Sequence, residues 1–101
     1  MHNHLHSKYF EAIIQLRPFN KEVFDYIMNH VKVRKNVFVS EVKELKTGVD
    51  IYISDKRFAK AIGKKLKQYF KGEVKRTYKL HTVSKTGENL YRDTILFRTR
   101  Q

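Results

Sequence analysis

Within residues 56–71, apolar and cationic side chains sort onto two sides of a helix, and on either flank the pattern changes to alternation of period two. That change of period constrains the fold more than any other feature of the chain. At 100° per residue, with Phe58 at zero, Phe58, Tyr69, Ile62, Leu66, Ala59 and Phe70 fall within about 0–120°. Lys56, Lys67, Lys60, Lys71, Lys64 and Arg57 then follow one another within about 160–260°. A helix with one apolar arc must bury that arc against another element, and half-apolar strands offer the matching surface.

The flanking segments supply those strands. Residues 9–17 alternate, with Phe10, Ala12, Ile14 and Leu16 on one face and Glu11, Ile13, Gln15 and Arg17 on the other, and Pro18 closes the run. Asn20 is a good helix cap, and Val23, Phe24, Ile27, Met28 and Val31 recur at helical spacing, which predicts a helix over residues 20–32. Residues 37–45 are rich in β-branched and aromatic side chains and read as a second strand. Lys46-Thr47-Gly48 reads as a tight turn in which the glycine supplies positive φ. Residues 49–53 alternate with Val49, Ile51 and Ile53 inward. Ser54-Asp55 caps the cationic helix and Gly72 is expected to end it at C′. Residues 73–83 and 90–100 are two further strands joined by a loop over 84–89. The order β-α-β-β-α-β-β predicts an α+β fold: a ferredoxin-like two-layer sandwich of a mostly antiparallel sheet, both helices on one face, with an extra C-terminal strand.

A chain of 101 residues with 41% apolar content has room for one modest core. The expectation is a single domain over residues 9–100 behind a disordered tail at 1–8. His2, His4 and His6 alternate in that tail, a spacing that would put three imidazoles on one side of an extended segment; a frayed end is the plainer reading. The absence of cysteine excludes disulfide scaffolds, thiolate zinc sites, iron–sulfur clusters and cysteine nucleophiles. No apolar run approaches the ~20 residues of a membrane span, and the first residues do not form a secretory signal. A cytoplasmic, monomeric protein without cofactor is expected.

The charge is concentrated. Of a net +12, residues 56–79 carry +9, from ten lysines and arginines against Glu73 alone. Cations at i,i+4, such as Lys56/Lys60, Lys60/Lys64 and Lys67/Lys71, each destabilise an isolated helix by a few tenths of a kcal/mol. A face kept only for solubility would do better with acids interspersed, as on the first helix, where Glu22 and Asp25 sit among Lys21 and Lys32. The stripe therefore points to a polyanion, with a merely solvated face as the alternative. Lys75 and Lys79 share one face of the fourth strand, with Thr77 and His81; Arg76 and Tyr78 share the other, with Val74 and Leu80. Arg92 lies in the predicted partner strand. The candidate RNA contacts are thus Lys56, Arg57, Lys60, Lys64, Lys67, Lys71, Lys75, Arg76, Lys79 and Arg92, and Tyr78 offers a surface on which a base could stack. Lys65 falls in the apolar arc, so its stem must pack while its ammonium reaches water. Gly63 borders the cationic stripe at a cost of ~1 kcal/mol relative to alanine, and either admits a close approach there or is simply tolerated.

Nothing in the chain calls for an enzyme. There is no Gly-x-Ser-x-Gly elbow, no Gly-rich phosphate loop, and no His-Glu-x-x-His spacing. His30 reads as a residue of the helix C-terminus, Asp55 as a cap, and Asp50 as the outward member of an alternating strand.

Ser40-Glu41-Val42-Lys43, Gly48-Val49-Asp50-Ile51-Tyr52, the run from Ala59 through Leu66 to Phe70 and Gly72, Val74-Lys75, Lys79-Leu80 and Leu90-Tyr91-Arg92-Asp93-Thr94-Ile95-Leu96 form one ordered pattern, opened by residues 9–17. That pattern resembles the NMD-three family, adaptors of the large ribosomal subunit, and its archaeal members above all. The resemblance spans about residues 9–100. It implies a non-enzymatic role at the large ribosomal subunit, in its biogenesis, maturation or quality control, with ribosomal RNA and ribosomal proteins as partners. Family members place paired Cys-x-x-Cys zinc modules before this region. None is present here, so the chain reads as the central region alone or as a shortened relative, and neither zinc nor export activity carries over. The competing reading is a protein-interaction module that docks a ribosomal protein or a GTPase.

Overall fold

Alternation along β1 (Ala12–Arg17) buries Ala12, Ile14 and Leu16 completely and leaves Ile13, Gln15 and Arg17 half-buried on the other side. In the computed structural model, which describes residues 9–83 and 85–100, this strand is the centre of a five-stranded sheet ordered β2-β3-β1-β5-β4. The other elements are α1 (Lys21–Lys32), β2 (Val39–Leu45), β3 (Gly48–Ile53), α2 (Lys56–Tyr69), β4 (Gly72–Val83) and β5 (Asn89–Thr99). The tail expected at residues 1–8, with His2, His4 and His6, lies outside the described residues.

The element order and the α+β sandwich are those expected. Ile14 pairs with Ile51 of β3 on one side and with Ile95 of β5 on the other, so the buried residues of all three strands share one face. Both helices cover that face: Val23, Ile27 and Val31 of α1 and Phe58, Ala59, Ile62 and Leu66 of α2 join a single core with them. Each large side chain so buried contributes roughly 1.5–3 kcal/mol. The other face stays open, as antiparallel sheets allow.

The added strand is not at the edge. The β3–α2–β4 crossover carries β4 to the far side of the sheet, and β5 hairpins back into the gap between β4 and β1. Because β4 runs antiparallel to β1, its hairpin partner β5 must run parallel to β1, the one parallel pairing in the sheet. β5 pairs with β1 only from Asp93 to Arg98, whereas β4 and β5 remain paired out to Val83↔Asn89. Residues 79–83 and 89–92 therefore project as a two-stranded arm, with a register shift between Leu80 and Thr82.

Several local expectations need correction. β1 starts at Ala12 rather than residue 9, because the chain bends at Glu11. Phe10 is consequently not with Ala12 on the core face; its ring packs edge-on to Tyr52 at 4.8 Å and beneath the Arg92 guanidinium at 3.9 Å, on the open face. Gly72 does not end α2: the helix closes at Phe70, which is already extended, and Gly72 is the first residue of β4. A Cβ there would run into the Arg98 carbonyl and come within 2.7 Å of the Phe97 ring, so close packing of β4 on Phe97 demands the glycine. Tyr69, placed by periodicity in the apolar arc, is 68% exposed in the last turn of α2, where only the Tyr26 ring approaches it among the described aromatics, at 6.2 Å. Gly48 has the expected positive φ, +154°, but opens β3 beyond a Lys46–Thr47 turn. Strand β2 begins two residues later than expected, at Val39.

Candidate nucleic-acid interface

The position of α2 is set at both ends. Asp55, the N-cap, accepts from the Arg57 and Phe58 amides at 2.8 and 3.1 Å, and Glu11 accepts from the Lys56 amide at 2.9 Å. The Ala59 amide is taken by the Asp55 carbonyl. The free amides of Lys56, Arg57 and Phe58 in the first turn are thus satisfied by the protein, and the Ala59 amide makes the first intrahelical bond. The positive end of α2 already faces two carboxylates, so a further anion has to bind along the side of this helix rather than at its tip.

Along that side runs a groove of about 530 Å3 between α2 and the edge strand β4. Its floor is Ala61, Gly63, Val74 and Ile95, and its rim is Arg57, Lys60, Lys64, Lys67 and Arg76. Gly63 owes its identity to the floor: a Cβ would stand 3.1 Å from the Ile95 methyl, tighter than ordinary packing. The glycine lets α2 sit low on β5, which brings the helix cations level with β4. Among the described residues no acid lines the groove. Lys60, Lys64 and Lys67 follow at the i,i+3/i+4 spacing of about 5–6 Å, a ladder of point charges suited to successive phosphates. Lys65 is half-buried, as its place in the apolar arc requires.

The ten candidate residues do not form one patch. Five make the groove rim. Lys56 faces a separate hollow of about 320 Å3 shared with Phe10, Leu90, Tyr91 and Arg92, and Lys71 lies beside Arg100 past the C-terminal end of α2. Lys75, Lys79 and Arg92 are on the open face: Lys75 pairs with Leu96 and Lys79 with Arg92, in the register opposite to the buried Ile95 and Phe97. The edge strand β4 is thus basic on both faces, Arg76 toward the helix and Lys75 and Lys79 away from it. His81 falls at the register shift and its side chain lies outside the described set.

Arg76 is partly committed. Its Nη2 is 3.3 Å from Oδ2 of Asp93, a carboxylate buried on the helix side of the sheet. The pair anchors the guanidinium at the end of the groove, where it also lies 5.4 Å from the Tyr78 ring. Sequence reasoning placed Arg76 and Tyr78 on one face but did not find Asp93 or Tyr91 beside them, since that requires the β4–β5 register. The Tyr9 hydroxyl donates to the same Glu11 carboxylate that caps α2, and this bond pushes its pKa up to about 12. Burial lowers the Arg92 pKa from the usual arginine value.

The remaining polar residues have structural work. Asp50 holds Arg17 at 2.6 Å, Glu73 holds Arg100 at 2.8 Å, and His30 Nδ1 lies 2.9 Å from the Tyr26 carbonyl. Among the described residues no three His, Asp or Glu side chains gather as a metal site, and no helix is long and apolar enough to cross a membrane.

Among curated proteins none matches the chain. The family model described as NMD3, second domain, matches residues 9–98, from the bend before β1 to the end of β5. This is the family whose wording the strands and the second helix resemble, one associated with the biogenesis and export of ribosomal subunits. With all but the ends of the sequence inside the match, the chain belongs to the NMD3 family.

Proposed function

We propose that this chain is a non-enzymatic adaptor domain that binds ribosomal RNA of the large ribosomal subunit through the groove between α2 and β4, acting in subunit biogenesis, maturation or quality control as a cytoplasmic monomer. One observation carries the reading: five cations rim a single groove that, among the described residues, no acid lines. Family membership supplies the ribosomal context. The groove supplies a means of holding phosphate, and its apolar floor gives the sugar edge of a nucleic acid something to rest on. Lys75, Lys79 and Arg92 would meet RNA that bends around the β4 edge.

A second reading has its own support. At the other end of the sheet, Phe19, Phe24, Val42 and Leu45 surround an apolar hollow of about 310 Å3, far from the basic face in the sheet order and suited to a ribosomal protein or GTPase. Salt separates the two readings. Binding to isolated large subunits or their RNA is expected to weaken linearly in a plot of log affinity against log salt. Displacement from several phosphates by the rim cations predicts a slope of roughly −3 to −5. Binding that hardly responds to salt would overturn the groove reading and favour the apolar hollow.

A further inference from the structure

The apolar surface of the β4–β5 arm is out of place on so basic a molecule. Tyr78 is 60% and Tyr91 45% exposed, and their rings meet nearly at right angles with centroids 5.9 Å apart. Both stand on the helix-side face of the hairpin: Tyr78 pairs with Asp93, two residues from Tyr91 on the same face, and Tyr91 pairs with Leu80. Neither ring belongs to the buried core or to the side chains packed against it. An aromatic pair at the root of a projecting arm, outside the core, adds little to folding, so its placement needs another reason.

The link to the groove is Arg76. Its guanidinium lines the groove, is tethered by Asp93, and reaches the Tyr78 ring. The cationic rim and the aromatic pair are therefore one continuous surface: phosphate sites along α2, then a guanidinium, then two rings. Asp93 is buried and already paired with Arg76, which leaves that surface positive. A protein partner for the arm would have to be both apolar and acidic. Nucleic acid has both characters in every nucleotide, a charged backbone and a base with an open π-face.

Paired RNA cannot use the rings, because its bases are stacked within the helix, while an unpaired nucleotide can turn a base outward. We infer that the domain selects unpaired RNA, holding the backbone of a single-stranded segment along the α2–β4 groove and stacking a base on the Tyr78–Tyr91 pair. This rests on the RNA reading of the groove and narrows it from RNA to single-stranded or looped RNA.

The test uses the chain's lack of tryptophan. Tyr78→Trp keeps a stacking surface at an exposed position and installs the sole indole. A short oligoadenylate is expected to quench that fluorescence and to bind about ten-fold more tightly than an RNA duplex of equal length. Tyr78→Ala should weaken oligoadenylate binding about ten-fold and leave duplex binding unchanged; circular dichroism confirms that each variant is folded. If both RNAs bind in a salt-sensitive way but the duplex binds as well and the indole is unquenched, the stacking inference is overturned while the groove reading stands. If neither RNA binds, or only an acidic peptide does, both are overturned.

Discussion

Replacing Gly48 with alanine is expected to cost the fold about 3 kcal/mol or more, combining overpacking with backbone strain. Two separate faults coincide at this position. Its φ of +154° lies where an L side chain is strained, and a Cβ would collide with the Leu16 carbonyl oxygen across the β1–β3 ladder. That oxygen is backbone and cannot rotate away. It also accepts from Arg17 Nη1 at 3.2 Å, and the same nitrogen donates to the Val49 carbonyl at 3.0 Å while Nη2 holds Asp50. Pushing β1 from β3 there would break this clamp and the pairing beneath Leu16 and Val49, both core residues. Gly87 is the control. It too has positive φ, +89°, but nothing lies within 4 Å of its Cβ position, so Gly87→Ala carries conformational strain alone, about 1 kcal/mol. Thermal melts should show a small shift for Gly87→Ala and a fall of ~15 °C or more, or failure to fold, for Gly48→Ala. Similar shifts for the two would mean that the close approach at Gly48 is not what its glycine serves.

The second large effect concerns binding. Lys60→Glu, Lys64→Glu and Lys67→Glu together should leave the fold intact and weaken binding to large-subunit RNA on the order of a hundred-fold or more, with the salt slope reduced by about three. Folding should survive because none of the three takes part in an ion pair described for this structure. The helix even gains: Lys60→Glu stands one turn after Lys56 and Lys67→Glu one turn before Lys71, each converting a like-charge repulsion to an attraction. Binding should fail because three of the five rim charges then repel phosphate. A folded triple variant that binds as the parent does would remove the groove from the mechanism.

The main lines of the fold were readable because period, caps and turns agree. Asn20 accepts from the Val23 amide and Asp55 caps α2 as their positions indicate, and the strands alternate about the predicted faces. What could not be read is what depends on other strands. Phe10 alternates correctly with Ala12 in one dimension, yet the bend at Glu11 turns it to the other face, where Arg92 and Tyr52 provide a better site. Gly72 looks like a helix terminator and is instead fixed by the Phe97 ring, twenty-five residues later in the chain. The candidate site was legible as a list of cations and not as a shape. Helical periodicity collected the α2 lysines, but only the crossover that brings β4 beside α2, and the insertion of β5, create a groove with Ile95 as its floor. Alternation already separates Lys75 and Lys79 from Arg76, but that they turn to the open face, and that Arg92 joins them there, depends on the β4–β5 register.

The central claim is most directly tested by mapping amide chemical-shift changes while the isotope-labelled chain is titrated with a fragment of large-subunit RNA that contains an unpaired stretch. Shifts are expected along residues 57–67 of α2, at Val74 and Arg76 of β4, and at Tyr78 and Tyr91 on the arm, fading together as salt is raised. Shifts confined to Phe19, Phe24, Val42 and Leu45, with α2 unmoved, would contradict RNA binding through the groove.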